Sequence, residues 1–158
     1  MDRLEGYRKK RDFARTPEPG PGREIWLPEL PAGACGRFVI HEHHARRLHW
    51  DLRLEEGAVL RSWAIPKGVP LERGVKRLAV EVEDHPLAYL DFAGQIPQGE
   101  YGAGKVSIWD RGYYTRTYQA PDRLEVVLLG ERVRGVYFLV RTRADQWLIW
   151  KRYDETGP

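Results

Sequence analysis

Histidines and one aspartate form the densest chemical cluster in the sequence. Four of the five histidines lie within nine residues, and a carboxylate follows: His41, His43, His44, His49 and Asp51. His49 and Asp51 point the same way if this segment is a strand, because side chains repeat every second residue. His43 precedes His49 by six residues, enough chain to turn back and add a third ligand. The pattern favours a metal site, although a histidine-rich surface loop without metal also fits it.

Two imidazoles and one carboxylate suit manganese, iron, zinc or nickel. Three protein ligands leave coordination positions open for water or substrate, which is typical of a catalytic site rather than a closed structural one. The H-x-H start at His41 also resembles cupin metal sites, but the glutamate expected a few residues later is missing. A cupin-type or other 2-His-1-carboxylate oxygenase therefore stays as a competing interpretation.

A second group of chemically capable residues ends an alternating segment. Glu83 and His85 share a face there, and a histidine beside a carboxylate can act as an acid or base near neutral pH. Three cations could hold an oxyanion next to a metal: Arg53, Lys67 and Arg77. Taken singly, each of these residues is also typical of an exposed strand end or a surface charge.

The glycine-rich segment at residues 99–105, GEYGAGK, matches the first part of a phosphate-binding loop. The next residue is Val106, where Ser or Thr should bind Mg²⁺. A phosphate-binding loop also opens a helix, whereas residues 106–110 alternate like a strand. The glycines are better explained by a tight loop or a close backbone approach.

Composition excludes several classes of protein. The 158 residues are 42% hydrophobic and 31% charged, with a formal net charge of +3, which is an ordinary soluble balance for one domain. No apolar run approaches the roughly 20 residues of a membrane span, and the basic start has no secretory h-region. The single cysteine, Cys35, excludes an internal disulfide framework. We therefore expect a cytoplasmic protein without a membrane partner.

The elements that must position these residues divide the chain in two. Residues 1–24 carry seven Lys or Arg and three closely spaced prolines, which predicts an irregular or short-helical arm. Such an arm either touches phosphates or is a solvated tail.

From Arg37 onward, the sequence alternates between apolar and polar residues with a period of two. One face carries Leu48, Trp50, Leu52 and Leu54, and the other carries His49, Asp51 and Arg53. Leu78, Val80 and Val82 likewise oppose Glu81, Glu83 and His85. Many short strands predict a mainly β barrel or sandwich over residues 25–158.

Several blocks in the right order resemble the phosphoesterase domain of bacterial DNA ligase D. The residues that carry the likeness are 43–54 (HHARRLHWDLRL), 62–68 (SWAIPKG), 76–80 (KRLAV), 82–87 (VEDHPL) and 96–104 (IPQGEYGAG). Residues 11–13 and 16–19 of the arm also resemble the N-terminal element of that family. The likeness covers nearly the whole chain and accounts for the glycine-rich segment.

The resemblance implies a compact single-domain β-barrel of short antiparallel strands and a 3′-end-healing enzyme. Members of that family remove a 3′-phosphate from DNA primer-template ends and leave a 3′-OH. Many of them also remove a terminal ribonucleoside. By similarity, His43, His49 and Asp51 bind manganese, with cobalt or zinc as other candidates. Further site residues implied by similarity are Arg53, His85 and Tyr89 at the scissile phosphate; Lys67, Arg77 and Glu83 around them; and Arg11, Asp12 and Glu18 from the arm.

Two departures from the family pattern bear on these expectations. His41 stands where the family has Gln, so it either keeps a hydrogen-bonding role toward the substrate site or adds a ligand. No K-x-D-G nucleotidylation motif is present, so we expect a stand-alone phosphoesterase that works with a separate ligase or polymerase of end joining. A DNA-end-binding module without catalysis would share the basic residues, but it has no need of metal ligands.

Overall fold

The computed structural model describes residues 2–152. Among these residues it contains one short helix, α1 (Glu5–Lys9), one 3₁₀ turn (Leu87–Asp91) and nine strands. The strands are β1 (Gly36–His44), β2 (Leu48–Glu56), β3 (Val59–Ile65), β4 (Arg77–Pro86), β5 (Gly94–Ile96), β6 (Gly104–Ala120), β7 (Arg123–Leu129), β8 (Arg134–Arg143) and β9 (Gln146–Lys151).

The described strands form one antiparallel sheet in the order β1-β2-β3-β4-β9-β8-β7-β6-β5. An additional pairing of β1 with β6 closes eight of these strands into a barrel, and β5 lies beside the start of β6. The prediction of a mainly β barrel is therefore confirmed. Closure leaves those eight strands without a free edge.

Apolar side chains pack on both sides of the barrel wall. Phe38 and Ile40 of β1 point into the interior cluster, whereas Val39 between them points outward, as alternation along a strand requires. The interior is filled by large side chains, including an edge-to-face pair of Trp63 and Trp147 with ring centroids 5.6 Å apart. The outer cluster lies between the wall and its covering segments and includes Tyr7, Leu60, Tyr89, Phe92 and Ile96.

The basic arm packs against this outer wall. Tyr7 of α1 is fully buried, and its hydroxyl donates to the carbonyl of Pro19 at 2.7 Å. Phe13 and Ile25 pack against the same outer cluster. The arm therefore packs on one face of the barrel and is not a solvated tail. Residues 153–158 of the predicted barrel domain lie outside the described part of the chain.

The alternation of β2 folds as expected, but that of β4 does not. Leu52 and Leu54 face the interior, which leaves the polar residues of β2 on the outer face. In β4, Ala79 is fully buried in the interior cluster while Leu78 is 42% exposed, so the predicted apolar face lies outside. A β-bulge follows: Leu60 and Ser62 of β3 pair with His85 and Val82 of β4, so two residues of β4 lie opposite one residue of β3 between these pairs.

Within residues 2–152, no helix is long and apolar enough to cross a membrane.

Candidate active site

The site begins with three residue pairs across β1 and β2. The register places Val39 opposite Arg53, His41 opposite Asp51, and His43 opposite His49. On the other side of β2, Ser62 of β3 lies opposite Arg53, and Ala64 lies opposite Asp51. One face of the wall therefore collects every functional side chain of β2. The bulge in β4 brings Val82 and His85 to the same cleft.

The cleft above this face has a volume of about 200 Å³. The wall, the arm, the 3₁₀ turn and the glycine-rich segment before β6 all contribute to it. Its lining residues are Arg11, Glu18, His43, His49, Asp51, Arg53, Ala64, Val82, Glu83, His85, Tyr89, Ile96 and Tyr101.

The three predicted metal ligands converge. The Nε2 atom of His49 lies 3.2 Å from Oδ1 of Asp51, and Nδ1 of His43 lies 3.6 Å from Oδ2 of the same carboxylate. One ligand atom from each residue lies within 4.8 Å of the other two. This spacing suits three ligands around a single ion whose bonds are about 2 Å long.

Backbone carbonyls set the tautomers of both histidines. Nε2 of His43 lies 2.7 Å from the carbonyl oxygen of Gly102, and Nδ1 of His49 lies 3.1 Å from that of Arg47. A carbonyl only accepts, so each of these nitrogens carries the proton. The lone pairs of His43 Nδ1 and His49 Nε2 then face Asp51. Metal-binding histidines are oriented by second-shell partners of this kind, so the residues present fit a divalent cation.

The charge of Asp51 is fixed by its neighbours. Burial alone would raise the pKa of this carboxyl, but the charge of Arg53, followed by the contacts with His43 and His49, holds the pKa well below its usual range. Burial opposes charge on His49 as well, yet its contacts with Asp51 raise the net pKa of the imidazole. The ligand set therefore contains an ionised carboxylate.

His41 lies behind the cleft instead of lining it. Its Nε2 lies 2.9 Å from the carbonyl oxygen of Phe92, and its Nδ1 accepts a hydrogen bond from Nε of Arg53 at 3.1 Å. Burial, followed by the nearby Arg53 charge, lowers the pKa of His41 to about 3. Both ring nitrogens of His41 are hydrogen-bonded, and the residue does not line the cleft, so in this structure it holds Arg53 instead of joining the ligand cluster.

Arg53 presents an unpaired donor beside the metal-ligand cluster. Its Nε binds His41, and its Nη2 lies 3.3 Å from Oδ2 of Asp51. The guanidinium lies over the ring of Tyr89, 4.7 Å from the centroid. Its Nη1 is buried and has no hydrogen-bond partner among residues 2–152. A buried donor without a partner is costly, which makes this atom a specific place for an anionic oxygen.

The arm adds a buried network around Arg11. Its Nε lies 2.9 Å from Glu18, and its Nη1 lies 3.1 Å from Glu83. The Tyr89 hydroxyl donates to the same Glu18 carboxylate at 2.6 Å. Arg11 thereby ties the arm to β4 and to the 3₁₀ turn. The structure brings Arg11, Glu18, Glu83 and Tyr89 together.

His85 enters the cleft as a neutral imidazole. Its Nδ1 lies 2.9 Å from the carbonyl oxygen of Glu83, so this nitrogen carries the proton, and Nη2 of Arg11 approaches its Nε2 at 3.4 Å. Burial, then the charges of Arg53 and Arg11, lowers the pKa of His85 well below its usual value. The ring also packs edge-to-face on Tyr89 at 4.6 Å.

Three predicted site residues lie elsewhere. Lys67 and Arg77 line a separate groove with Trp50 and Trp109, and Nη1 of Arg77 donates to the Lys67 carbonyl at 2.8 Å. Arg77 begins β4 five residues before Val82, about 16 Å along an extended strand, so it does not reach the cleft. Asp12 is exposed and accepts a hydrogen bond from the Ala14 amide at 3.1 Å, which stabilises a turn in the arm.

Two residues that contribute to the cleft were not predicted from the sequence. The Gly102 carbonyl orients His43, and Tyr101 lines the mouth of the cleft. Both residues belong to the glycine-rich segment, and the unusual composition of that segment is the feature of the sequence that could have indicated their role.

Fold and site together define a β-barrel domain that carries a candidate metal centre beside an anion pocket on its outer wall. The family model of the DNA ligase D 3′-phosphoesterase domain matches residues 41–141, and the chain belongs to this family.

The similar proteins are much longer than this chain. The chain is 46% identical to the multifunctional non-homologous end joining protein LigD of Mycolicibacterium smegmatis, an alignment that covers 98% of this chain and 21% of that protein. The LigD proteins of Mycobacterium bovis, at 50% identity over 93% of this chain, and Pseudomonas aeruginosa, at 46% over 96%, are each covered to 19%. The chain thus spans about a fifth of these relatives. Membership of the family supports a role in the processing of DNA ends during repair.

Proposed function

We propose that the protein is a metal-dependent phosphoesterase that removes the 3′-phosphate from DNA ends and leaves a 3′-OH. A free 3′-OH is what an end-joining polymerase or ligase requires, so we expect the product to pass to such an enzyme, whether separate or joined to this domain. Manganese is the proposed metal, and cobalt or zinc would also suit two imidazoles and a carboxylate.

One observation carries the proposal: Arg53, whose Nη1 is buried and has no partner among residues 2–152, lines the same cleft as the ligand cluster of His43, His49 and Asp51. A cation site and a guanidinium donor so close together match a phosphate, whose oxygens can contact both at once. A module that only bound DNA ends would need the arginine but not the three ligands. An oxygenase that uses a 2-oxoacid would also need an anion donor, but the family gives an oxygenase no support.

The residues of the cleft have different roles toward the phosphate. A divalent metal on the three ligands supplies Lewis-acid stabilisation of the charge that develops on phosphate oxygens. Arg53 donates to an equatorial oxygen, and its other nitrogens are held by His41 and Asp51, so the guanidinium needs no reorganisation during the reaction. Tyr89 and Glu18 hold Arg11, and with it the arm, beside the cleft.

His85 fits a positioning role better than that of general acid. A general acid must carry a transferable proton, but burial and two arginines disfavour the imidazolium form. The Nδ1 proton is engaged by the Glu83 carbonyl. We propose that His85 orients the phosphate, and that the leaving 3′-oxygen takes its proton from solvent that enters the cleft. Hydrolysis breaks the bond between phosphorus and the 3′-oxygen and adds a water oxygen to phosphorus.

The test is conversion of a 5′-labelled primer-template whose primer ends in 3′-phosphate. We expect a 3′-OH end with Mn²⁺ and none with EDTA. Asp51→Asn should abolish conversion, whereas Glu29→Gln, a charge change at an exposed position, should not. Tight binding of the end without conversion, in a folded protein loaded with metal, would favour the end-binding module and overturn the proposal.

Removal of a terminal ribonucleoside is the finer part of the proposal, and it rests on the family resemblance. A primer that ends in one ribonucleotide should be shortened by one nucleoside, after which the same site removes the phosphate left behind. A terminal 2′-deoxy or 2′-O-methyl sugar in its place tests whether the 2′-OH takes part. Equal shortening of all three primers would exclude a role for that hydroxyl.

A further inference from the structure

The glycine-rich segment places an aromatic ring at the mouth of the cleft. Tyr101 is 46% exposed and yet lines the cavity. The next residue, Gly102, supplies the carbonyl that binds His43 at 2.7 Å. A ligand held at the metal-ligand cluster is therefore within a short reach of the Tyr101 ring.

The loop holds this ring in place without burying it. The amide of Glu100 donates to the Pro97 carbonyl at 3.2 Å, and that of Ala103 donates to the Glu100 carbonyl at 3.1 Å. Gly99 and Gly102 adopt φ angles of +90° and +74°, a conformation that side chains disfavour, so these tight turns need glycine.

Two cations of the arm border the ring. Nζ of Lys10 lies 4.8 Å from the Tyr101 centroid, and Cζ of Arg11 lies 5.2 Å from it. Nζ of Lys10 is also bound to Glu83 at 3.0 Å. The ring therefore combines exposed aromatic surface with the positive charge of two arm residues that lie over it, in a cleft that Arg53 also lines.

An aromatic face beside cations is the usual platform for a nucleobase with its phosphate nearby. Stacking on such a ring tolerates every base, because each base has a π-face. We propose that Tyr101 stacks on the base of the 3′-terminal nucleotide, so that the cleft selects nucleoside phosphates over simple phosphate esters without reading sequence. This inference rests on the proposed function and names the recognition element of the same site.

The test compares two ends that differ only in the terminal base. One 3′-phosphorylated primer-template has an intact terminal nucleotide, and the other has an abasic one. For Tyr101→Ala we expect kcat/KM to fall about ten-fold on the intact end, mainly because KM rises. On the abasic end we expect kcat/KM of this variant to equal that of the wild type. Tyr101→Trp should keep the wild-type preference. Tyr118, 48% exposed and absent from the cleft lining, supplies the control variant Tyr118→Ala.

Equilibrium binding in EDTA separates this inference from the proposed function. Fluorescence anisotropy measures the affinity for both ends without turnover, so it reports on stacking even if no variant hydrolyses phosphate. We expect the wild type to bind the intact end more tightly than the abasic end, and Tyr101→Ala to bind both equally. Equal binding of the two ends by the wild type, or equal losses on both ends in Tyr101→Ala, would overturn the assignment.

Discussion

The Nδ1 atom of His41 accepts a hydrogen bond from Nε of Arg53 at 3.1 Å, while its Nε2 is bound to the Phe92 carbonyl. A neutral, fully buried histidine thus holds the Nε side of the Arg53 guanidinium and leaves its Nη1 without a partner among residues 2–152. A glutamine can reproduce both contacts, since its amide group donates and its carbonyl accepts. This explains how histidine substitutes for the glutamine of the family pattern.

We expect His41→Gln to stay within about three-fold of the wild-type kcat and His41→Ala to lose about 10²-fold, because a misplaced arginine no longer meets the phosphate. Steady-state kinetics on the 3′-phosphorylated primer-template check this, with circular dichroism to confirm folding. An Ala variant as active as the Gln variant would show that His41 does not position Arg53.

Metal binding should stabilise the folded protein only when the three ligands are intact. At a Mn²⁺ concentration of 100 times Kd, linkage predicts about 2.7 kcal/mol of added stability. We expect an upward Tm shift with Mn²⁺ for the wild type and none for His43→Ala or Asp51→Asn. His44→Ala is the matched control, because His44 is exposed and bound to Glu42 outside the cleft. A full shift in Asp51→Asn would remove that residue from the ligand set.

Arg11 should support both stability and activity. Arg11→Met leaves Glu18 and Glu83 with fewer partners in a buried setting, which costs about 3 kcal/mol when one partner of such a network is removed. Urea unfolding measures that loss, and kcat/KM should fall as the arm loosens. Lys9→Met is the control in the same arm, since Lys9 forms an exposed ion pair with Glu5. Equal effects of the two variants would refute a special role of Arg11.

Glu83 should contribute a pH-dependent part of the stability. Burial raises the pKa of its carboxyl, but the contacts with Lys10 and Arg11 outweigh burial and lower the net pKa below the ordinary value of 4.5. A carboxyl with a lowered folded-state pKa stabilises the protein above its unfolded-state pKa, and this contribution is lost as the pH falls.

The free energy of unfolding of the wild type should therefore exceed that of Glu83→Gln most clearly above pH 4.5, with the difference shrinking at lower pH. Urea titrations between neutral and acidic pH measure it, and Glu29→Gln at an exposed position serves as the reference. A difference that is constant with pH would contradict the assigned pKa direction.

The polar face of β2 could be predicted from the sequence, because β2 pairs with both neighbouring strands without a bulge and its alternation is therefore uninterrupted. The orientation of β4 was not readable, because its apolar alternation resembles a core-facing strand although Leu78 lies outside. The bulge between Val82 and His85 then brings both residues to the cleft, and no residue type marks that bulge. The position of Lys67 and Arg77 in a separate groove was not readable either, because the order of motifs along the chain does not reveal how far apart they lie in the fold. The docking of the arm depends on long-range contacts such as that of Arg11 with Glu83, which composition cannot predict.

The most direct test of the account asks whether one phosphate contacts both the metal site and Arg53. ³¹P NMR of a 3′-phosphorylated nucleotide with substoichiometric Mn²⁺ reports that proximity, because bound Mn²⁺ broadens the signal of a nearby phosphorus. We expect strong broadening with the wild-type protein and its loss in Asp51→Asn and in Arg53→Met, both compared with Mn²⁺ alone. Equal broadening in the wild type and both variants would contradict a shared phosphate site.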